Sequence, residues 1–373
     1  MARAKKIVEE VIADMNEMAE DVEIEDEEIN PDDLFPTGST VLNMAMSGFP
    51  NGGYKKGKIV TMPGGSSSGK TLLVLTGMAM TAHDPKFDDY ELIYDDVECA
   101  LEIEIEEIFS EKAAKRIKAP KYAQEGTPLY SDTIQEFKNN VLKRVGDNKP
   151  FIWVLDSLDA LSSDEELEKA YKEAVKSAKS DDHIKELKGS YKTEKARMIG
   201  EVLRMIKKGL KQTGSLLIIL QQERINLNAG LFGKKKITSG GEAPFYYSTH
   251  QVWLNKIETH KDSKYGIIIG QKVKANVTKN KLTGKKRIIE FDIFDSYGID
   301  DIGSCIDYLV GSGYWKKAGQ TIKALELNFE GTRTKLIEYI EENELQDDLK
   351  NTVAKAWNII ENEIKLNRKK RFE

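Results

Sequence analysis

Short apolar runs, closed off by glycine, proline or charged residues, recur along the middle of the chain. Four of them, 58–62, 91–95, 151–155 and 215–221, are rich in branched and aromatic residues, as in Phe151-Ile152-Trp153-Val154-Leu155. Runs of this length that are apolar at nearly every position predict strands buried on both faces. Helical segments separate them; Thr71 to Met80, dense in Leu, Met and Ala, predicts a buried helix. Strands alternating with helices predict an α/β fold with a mostly parallel central sheet flanked by helices. Three later runs, 250–257, 267–274 and 288–294, have no helix between them and predict antiparallel hairpins at the sheet edge. Together these segments set an α/β core at residues 34–302.

The pattern changes at both ends. Residues 1–19 place Ile7, Val8, Val11, Ile12 and Met15 at helical spacing, which fits either a solvated helix or an arm that docks on a neighbouring subunit. An acidic run from Glu20 to Asp33 follows, so 1–33 reads as a helix plus linker. Residues 163–190 are very polar with mixed charges at helical spacing, as in an exposed insertion. Residues 303–373 read as a small, mainly helical C-terminal region ending in Arg368-Lys369-Lys370-Arg371. That tail is either simply solvated or touches DNA.

Composition narrows the class. At 373 residues, 40% hydrophobic and 32% charged, the chain suits one large α/β domain with additions. No run of eighteen apolar residues is present, which argues against a membrane span. The N-terminus lacks a secretory core, and Cys99 and Cys305 are the only cysteines, so a reducing cytoplasm is expected. Net charge is −6, yet Lys272 to Arg287 holds seven basic residues and no acidic one. A local basic patch of this kind matters more than the sum for a phosphate backbone.

Gly64-Gly65-Ser66-Ser67-Ser68-Gly69-Lys70-Thr71 fits G-x-x-x-x-G-K-[ST] at every fixed position. Its glycines let backbone N–H groups turn inward towards phosphate oxygens, and the following helix points its positive end at them. Lys70 is then expected on the β- and γ-phosphates and Thr71 on Mg²⁺, which predicts ATP and magnesium as cofactors. The run from Phe151 ends in Asp156, a strand-tip carboxylate suited to the metal or its water, and Ser157 follows. The run from 91 ends in Tyr94-Asp95-Asp96-Val97-Glu98. Hydrolysis needs a base or water-orienting group there; Glu98 is the candidate, and the competing role for these carboxylates is capping the next helix.

With these three motifs, the chain resembles the RecA-family recombinases, most of all the bacteriophage UvsX-type branch. Thr37-Gly38-Ser39 with Leu42-Asn43, Gly52-Gly53 through Val60, Asp96-Val97-Glu98-Cys99-Ala100-Leu101 and Leu155-Asp156-Ser157-Leu158-Asp159-Ala160-Leu161 carry the likeness. So does Leu216 to Arg224, where Gln222 takes the place of the family's sensor glutamine. The resemblance implies that Gln222 couples the γ-phosphate to the next loop. It also implies two DNA-binding loops. One lies near Gly189 and Lys192. The other runs on from Arg224 through Leu231, Phe232, Lys234, Lys235 and Lys236 to Gly240 and Gly241. Glycines there give mobility, lysines neutralise phosphates, and Leu231 or Phe232 can wedge between bases. Finally, Thr278-Lys279-Asn280-Lys281 resembles the family's K-x-K pair, whose lysines act in trans on the neighbouring subunit's γ-phosphate.

The function implied is ATP-dependent homologous recombination and repair: filaments on single-stranded DNA, pairing with a homologous duplex, and DNA-dependent ATP hydrolysis. The implied partners are single- and double-stranded DNA, further copies of the chain in a helical filament, a mediator and a single-strand-binding protein. The implied setting is a bacterial host's cytoplasm. The rival reading is a ring-shaped DNA helicase with the same core.

Overall fold

The computed structural model describes residues 29–177, 191–225 and 236–368. The expected N-terminal helix, the second half of the polar insertion (178–190) and the end of the basic tail (369–371) lie outside the described residues.

The sheet grows from the apolar runs. Its strands are β1 (Lys58–Gly64), β2 (Glu91–Asp96), β3 (Ile117–Lys118), β4 (Phe151–Asp156), β5 (Leu216–Ile225), β6 (Lys236–Thr238), β7 (His250–Lys261), β8 (Ile268–Asn280), β9 (Ile288–Phe294) and β10 (Gly298–Asp300). The spatial order is β10-β9-β8-β7-β1-β5-β4-β2-β3, with β6 added to β5. From β7 to β3 every pairing is parallel. β8, β9 and β10 extend the sheet as antiparallel hairpins, as the missing helices after residue 250 predict. This is an α/β fold with a large, mostly parallel central sheet flanked by helices.

Strand side chains alternate between two apolar layers. Ile59, Ile93, Trp153, Leu217 and Ile219 face helices α3 (Ile134–Gly146) and α5 (Tyr191–Thr213). Each helix turns an apolar stripe inward: Ile134, Phe137, Val141 and Val145 on one, Ile199, Val202, Leu203, Ile206 and Leu210 on the other. Val60, Met62, Tyr94, Val154 and Ile218 face the opposite layer, built on α1 (Thr40–Ser47) and α2 (Lys70–His83). α4 (Asp164–Ser177) lies at the start of the polar insertion.

The C-terminal region is less purely helical than its sequence suggests. Beside α6 (Asp301–Gly311), α7 (Arg333–Glu342) and α8 (Gln346–Glu363) it contains an antiparallel sheet of β11 (Lys316–Ala318), β12 (Thr321–Ala324) and β13 (Phe329–Gly331). These strands are three or four residues each, too short to show a period of two in the sequence. The region shares the α1–α2 hydrophobic layer through Ile306, Leu309, Trp315, Leu336 and Trp357. Arg287 Nε and Nη2 grip Glu361 at 2.6 and 2.8 Å, and Asp301 accepts Thr40 N and Oγ1 at 2.6 and 2.7 Å. Among the described residues no helix is long and apolar enough to cross a membrane.

Candidate functional site

In an open parallel sheet the carboxyl ends of the strands open onto a crevice, and here the ends of β1, β2, β4 and β5 meet. The turn from β1 into α2 begins at Gly64, where an added Cβ would sit 2.5 Å from Ser68 Oγ and 2.8 Å from Leu254 O. Gly69 caps α2 in the left-handed region, φ +86°, and a Cβ there would overlap Ile293 Cδ1. Nothing stands within 4 Å of a Cβ on Gly65, so the cradle is tight underneath and open above. Lys70 Nζ reaches back to the carbonyls of Gly64 and Gly65 at 3.2 and 2.8 Å. Burial draws its ammonium below the usual lysine range, while Asp156 and Glu98 oppose the shift.

Thr71 Oγ1 donates to Asp156 Oδ2 at 2.9 Å, and the Tyr94 hydroxyl donates to the same oxygen. Burial raises the Asp156 carboxyl, and those two donors hold it down. A hydroxyl and a carboxylate this close form a hard oxygen set that suits Mg²⁺. With Ser66, Ser67, Lys70, Glu98 and Gln222 they line a cavity of about 240 Å³. A second hollow of about 360 Å³ lies on the other side of the loop, edged by Lys256, Gln271 and Asp295. Ser68 Oγ, buried without a partner, adds a free polar atom beneath the loop.

The three carboxylates after β2 have separate tasks. Asp95 is buried and takes Ser131 N and Oγ at 2.9 and 2.8 Å. Asp96 caps the next segment through Ala100 N at 3.3 Å and Leu101 N at 2.9 Å. Glu98 faces the cavity, and its Oε1 accepts from Ser157 Oγ and, at 2.9 Å, from Gln222 Nε2. Ser157 is therefore turned to Glu98.

Gln221 and Gln222 point to opposite sides of β5. Gln221 is buried and donates to Ser239 O at 2.8 Å; Gln222 reaches the cavity. Just beyond, β5 and β6 form an antiparallel stem, Glu223 opposite Thr238 and Ile225 opposite Lys236. The stem ends in a turn where Gly240 and Gly241 have φ +82° and +70°, and a Cβ on Gly240 would meet Leu158 Cδ2 at 2.8 Å. Two expected DNA residues carry counter-charges: Arg224 lies 3.2 Å from Asp159 and Lys236 lies 2.9 Å from Glu223. Leu231, Phe232, Lys234, Lys235 and Gly189 lie outside the described residues; Lys192 falls within α5, with its side chain outside them.

Lys279 and Lys281 do not join this cluster. Lys279 stands opposite Gln251, itself opposite Thr61, about 10 Å of strand short of Gly64 and two strands over. Its Nζ donates to the carbonyls of Phe245 and, at 3.1 Å, Tyr246. Burial and the neighbouring Lys281 lower its ammonium to about 8. Lys281 lies in the turn just past β8, exposed, so the two are not a same-face strand pair.

The residues missed at the sequence level are those whose role depends on pairing across strands. Tyr94 reads as one more apolar strand residue until β2 and β4 align. Asp159 lies inside a segment that carries the likeness but is given no role of its own there, and Lys195 belongs to no motif; Lys195 Nζ donates to the Asp159 carbonyl at 2.9 Å.

A family model described as the RecA N-terminal domain matches residues 152–300, from β4 through β10. The protein RecA of Streptomyces ambofaciens is 26% identical over 296 residues, 78% of this chain and 68% of its own length. That of Nautilia profundicola is 26% identical over 310 residues, 80% of this chain and 77% of its own. That of Tropheryma whipplei is 29% identical over 287 residues, 77% of this chain and 57% of its own. The matched span holds Asp156, Gln222 and the β5–β6 stem, on a sheet whose strand ends gather the glycine loop, and over that span the chain is similar to the RecA family.

Proposed function

We propose that this chain is a DNA-dependent ATPase that forms filaments on single-stranded DNA and pairs it with a homologous duplex. The observation that carries the reading is the 2.9 Å hydrogen bond from Gln222 Nε2 to Glu98 Oε1. It joins a carboxylate that lines the cavity to the residue just before the stem that leads into the glycine- and lysine-rich loop. A change at the nucleotide is thereby felt at a loop suited to DNA, and the reverse holds by reciprocity.

The residues fit ATP with magnesium: a loop closed to a Cβ at Gly64 and Gly69, a lysine aimed into it, and a paired hydroxyl and carboxylate. Thr71 and Asp156 would hold the metal and Lys70 the terminal phosphates; bound Mg²⁺ supplies charge neutralisation for phosphoryl transfer. Glu98 orients and deprotonates the attacking water, with Ser157 and Gln222 fixing its carboxylate. Lys279 and Lys281 serve the site of the next copy. Arg224, Lys236 and the loop between them bind the DNA backbone, and bases stack on Leu231 and Phe232. Mediator and single-strand-binding proteins would assist in the cytoplasm.

The test combines the protein with ATP, Mg²⁺, single-stranded DNA and a homologous duplex, with a non-homologous duplex as control. Joint molecules dependent on homology are expected. Hydrolysis stimulated by single-stranded DNA without joints, under loading conditions, would favour a translocating motor. Neither joints nor stimulation would sink the proposal.

A further inference from the structure

One carboxylate in this region has more partners than its place in the sequence suggests. Asp159 lies in the turn after β4, with its side chain 6% exposed. Its Oδ2 accepts the backbone N–H of Gln222 at 2.8 Å. Its Oδ1 accepts the hydroxyl of Ser239 at 2.6 Å and lies 3.2 Å from Arg224 Nη2. Arg224 belongs to the outgoing strand of the stem and Gln222 precedes the stem on the same strand, while Ser239 directly follows the returning strand. A single buried side chain therefore holds both stems. The turn that carries it is fixed in its own right: Leu158 N donates to Leu220 O at 3.1 Å, and Lys195 Nζ donates to the carbonyls of Asp159 and Leu161.

We infer that Asp159 is a positioning residue that makes the loop stem and the nucleotide site move as one body. The inference rests on the DNA-dependent ATPase reading above. Asp159 lies three residues past Asp156 in the turn that leaves β4, so a shift of the β4 tip carries Asp159 with it. Through the Gln222 N–H that shift reaches the side chain bonded to Glu98, and through Ser239 it reaches the far stem. Two stems braced on one point move together; two stems bonded only to each other can twist independently of the strand tip. A buried carboxylate that gathers donors from two segments is costly to leave half-satisfied, which makes the braced arrangement all-or-none.

The test compares the parent chain with Asp159→Ala and Asp159→Asn. The Asn side chain keeps an acceptor for Gln222 N–H and a partner for the Ser239 hydroxyl, and gives up the negatively charged oxygen that faces Arg224. The readouts are ATP hydrolysis with and without single-stranded DNA, binding of a fluorescent ATP analogue, and amide exchange over 222–225 and 236–241 with and without the analogue. Asp159→Ala is expected to lose about tenfold of the DNA stimulation, with analogue affinity held within about twofold. It is also expected to abolish the response of stem exchange to the analogue, and Asp159→Asn to restore both. Full DNA stimulation in Asp159→Ala, or a loss in Asp159→Asn equal to that in Asp159→Ala, overturns the inference. Should Asp159→Ala not fold, Ser239→Ala removes the returning-stem bond alone, and an undiminished DNA response there overturns it equally. If the parent chain shows no DNA stimulation, the functional proposal fails, and exchange alone decides the bracing: a nucleotide response lost in Asp159→Ala and kept in Asp159→Asn supports it, and an identical response in all three overturns it.

Discussion

At the scale of single residues, the stretch Asp95-Asp96-Val97-Glu98 shows how environment divides like groups among unlike tasks. Asp96 and Glu98 both line the cavity, but Asp96 is taken up by the N–H groups of Ala100 and Leu101, whereas Glu98 is held there by Ser157 and Gln222. Glu98→Gln preserves shape and removes the base. Hydrolysis should fall by at least ~100-fold, the usual worth of a positioned base, while affinity for an ATP analogue stays within about twofold. A normal rate would move the role elsewhere. Asp95 gives a different test. Burial raises its carboxyl from 3.8 to about 6, with the Ser131 donors opposing. Between those values the folded chain binds more protons than the unfolded one, so this group favours folding more as pH falls through 6. Above pH 6 the buried charge costs stability. Asp95→Asn removes the titration, so its stability relative to the parent should rise between pH 4.5 and pH 7, by on the order of 1–3 kcal/mol. Denaturant unfolding of both proteins at the two pH values measures this, and an equal difference at both would refute it.

At the scale of elements, α3 and α5 pack so closely that the contact admits one residue type. A Cβ on Gly209 would overlap Val145 Cγ1. Glycine within a helix costs about 1 kcal/mol against alanine, so an exposed Gly→Ala change would stabilise. Gly209→Ala should instead destabilise by roughly 1–3 kcal/mol, because overpacking outweighs propensity; a raised melting temperature would contradict the packing argument. Gly209 also marks where reading the sequence stops. The apolar runs give β1, β2 and β4 to within two residues and the first part of β5, because burial on both faces leaves a strong, local signal; the loop expected near Gly189 and Lys192 instead falls, at Lys192, within α5. The phosphate loop is legible for a related reason: its backbone geometry admits few sequences. What sequence does not disclose depends on register between distant segments. Gly209 needs Val145 opposite it, Tyr94 needs Asp156, and Asp159 needs Gln222 and Ser239. The short strands β11 to β13 fail for lack of length, and the placing of Lys281 in a turn rather than on β8 is a matter of one residue at a strand end.

At the scale of the whole molecule, the decisive fact is that the candidate site and the lysine pair do not meet within one chain. Lys279 is held by the Phe245 and Tyr246 carbonyls, back along the sheet from the cradle and on the far side of β7. If Lys279 and Lys281 contribute to phosphate chemistry, the cradle must come from another copy, in a head-to-tail contact that repeats without closing into a dimer. That geometry makes a complementation experiment informative. Lys70→Ala spoils the cradle and leaves the lysine pair intact. The double change Lys279→Ala with Lys281→Ala does the opposite. Each protein alone should show almost no DNA-stimulated hydrolysis. Mixed in equal amounts on single-stranded DNA, random head-to-tail assembly pairs an intact cradle with an intact lysine pair at about one junction in four, so about a quarter of the parent rate should return. If both sets of residues served one chain's own site, no arrangement of the two variants would contain a complete site, and the mixture would stay inactive. A second mixture, Lys70→Ala with Glu98→Gln, sets the background, since both changes fall on the cradle side and no junction between those variants is whole. Recovery in the first mixture without recovery in the second would assign the lysines to the neighbouring subunit and make the filament, rather than the single chain, the catalytic unit.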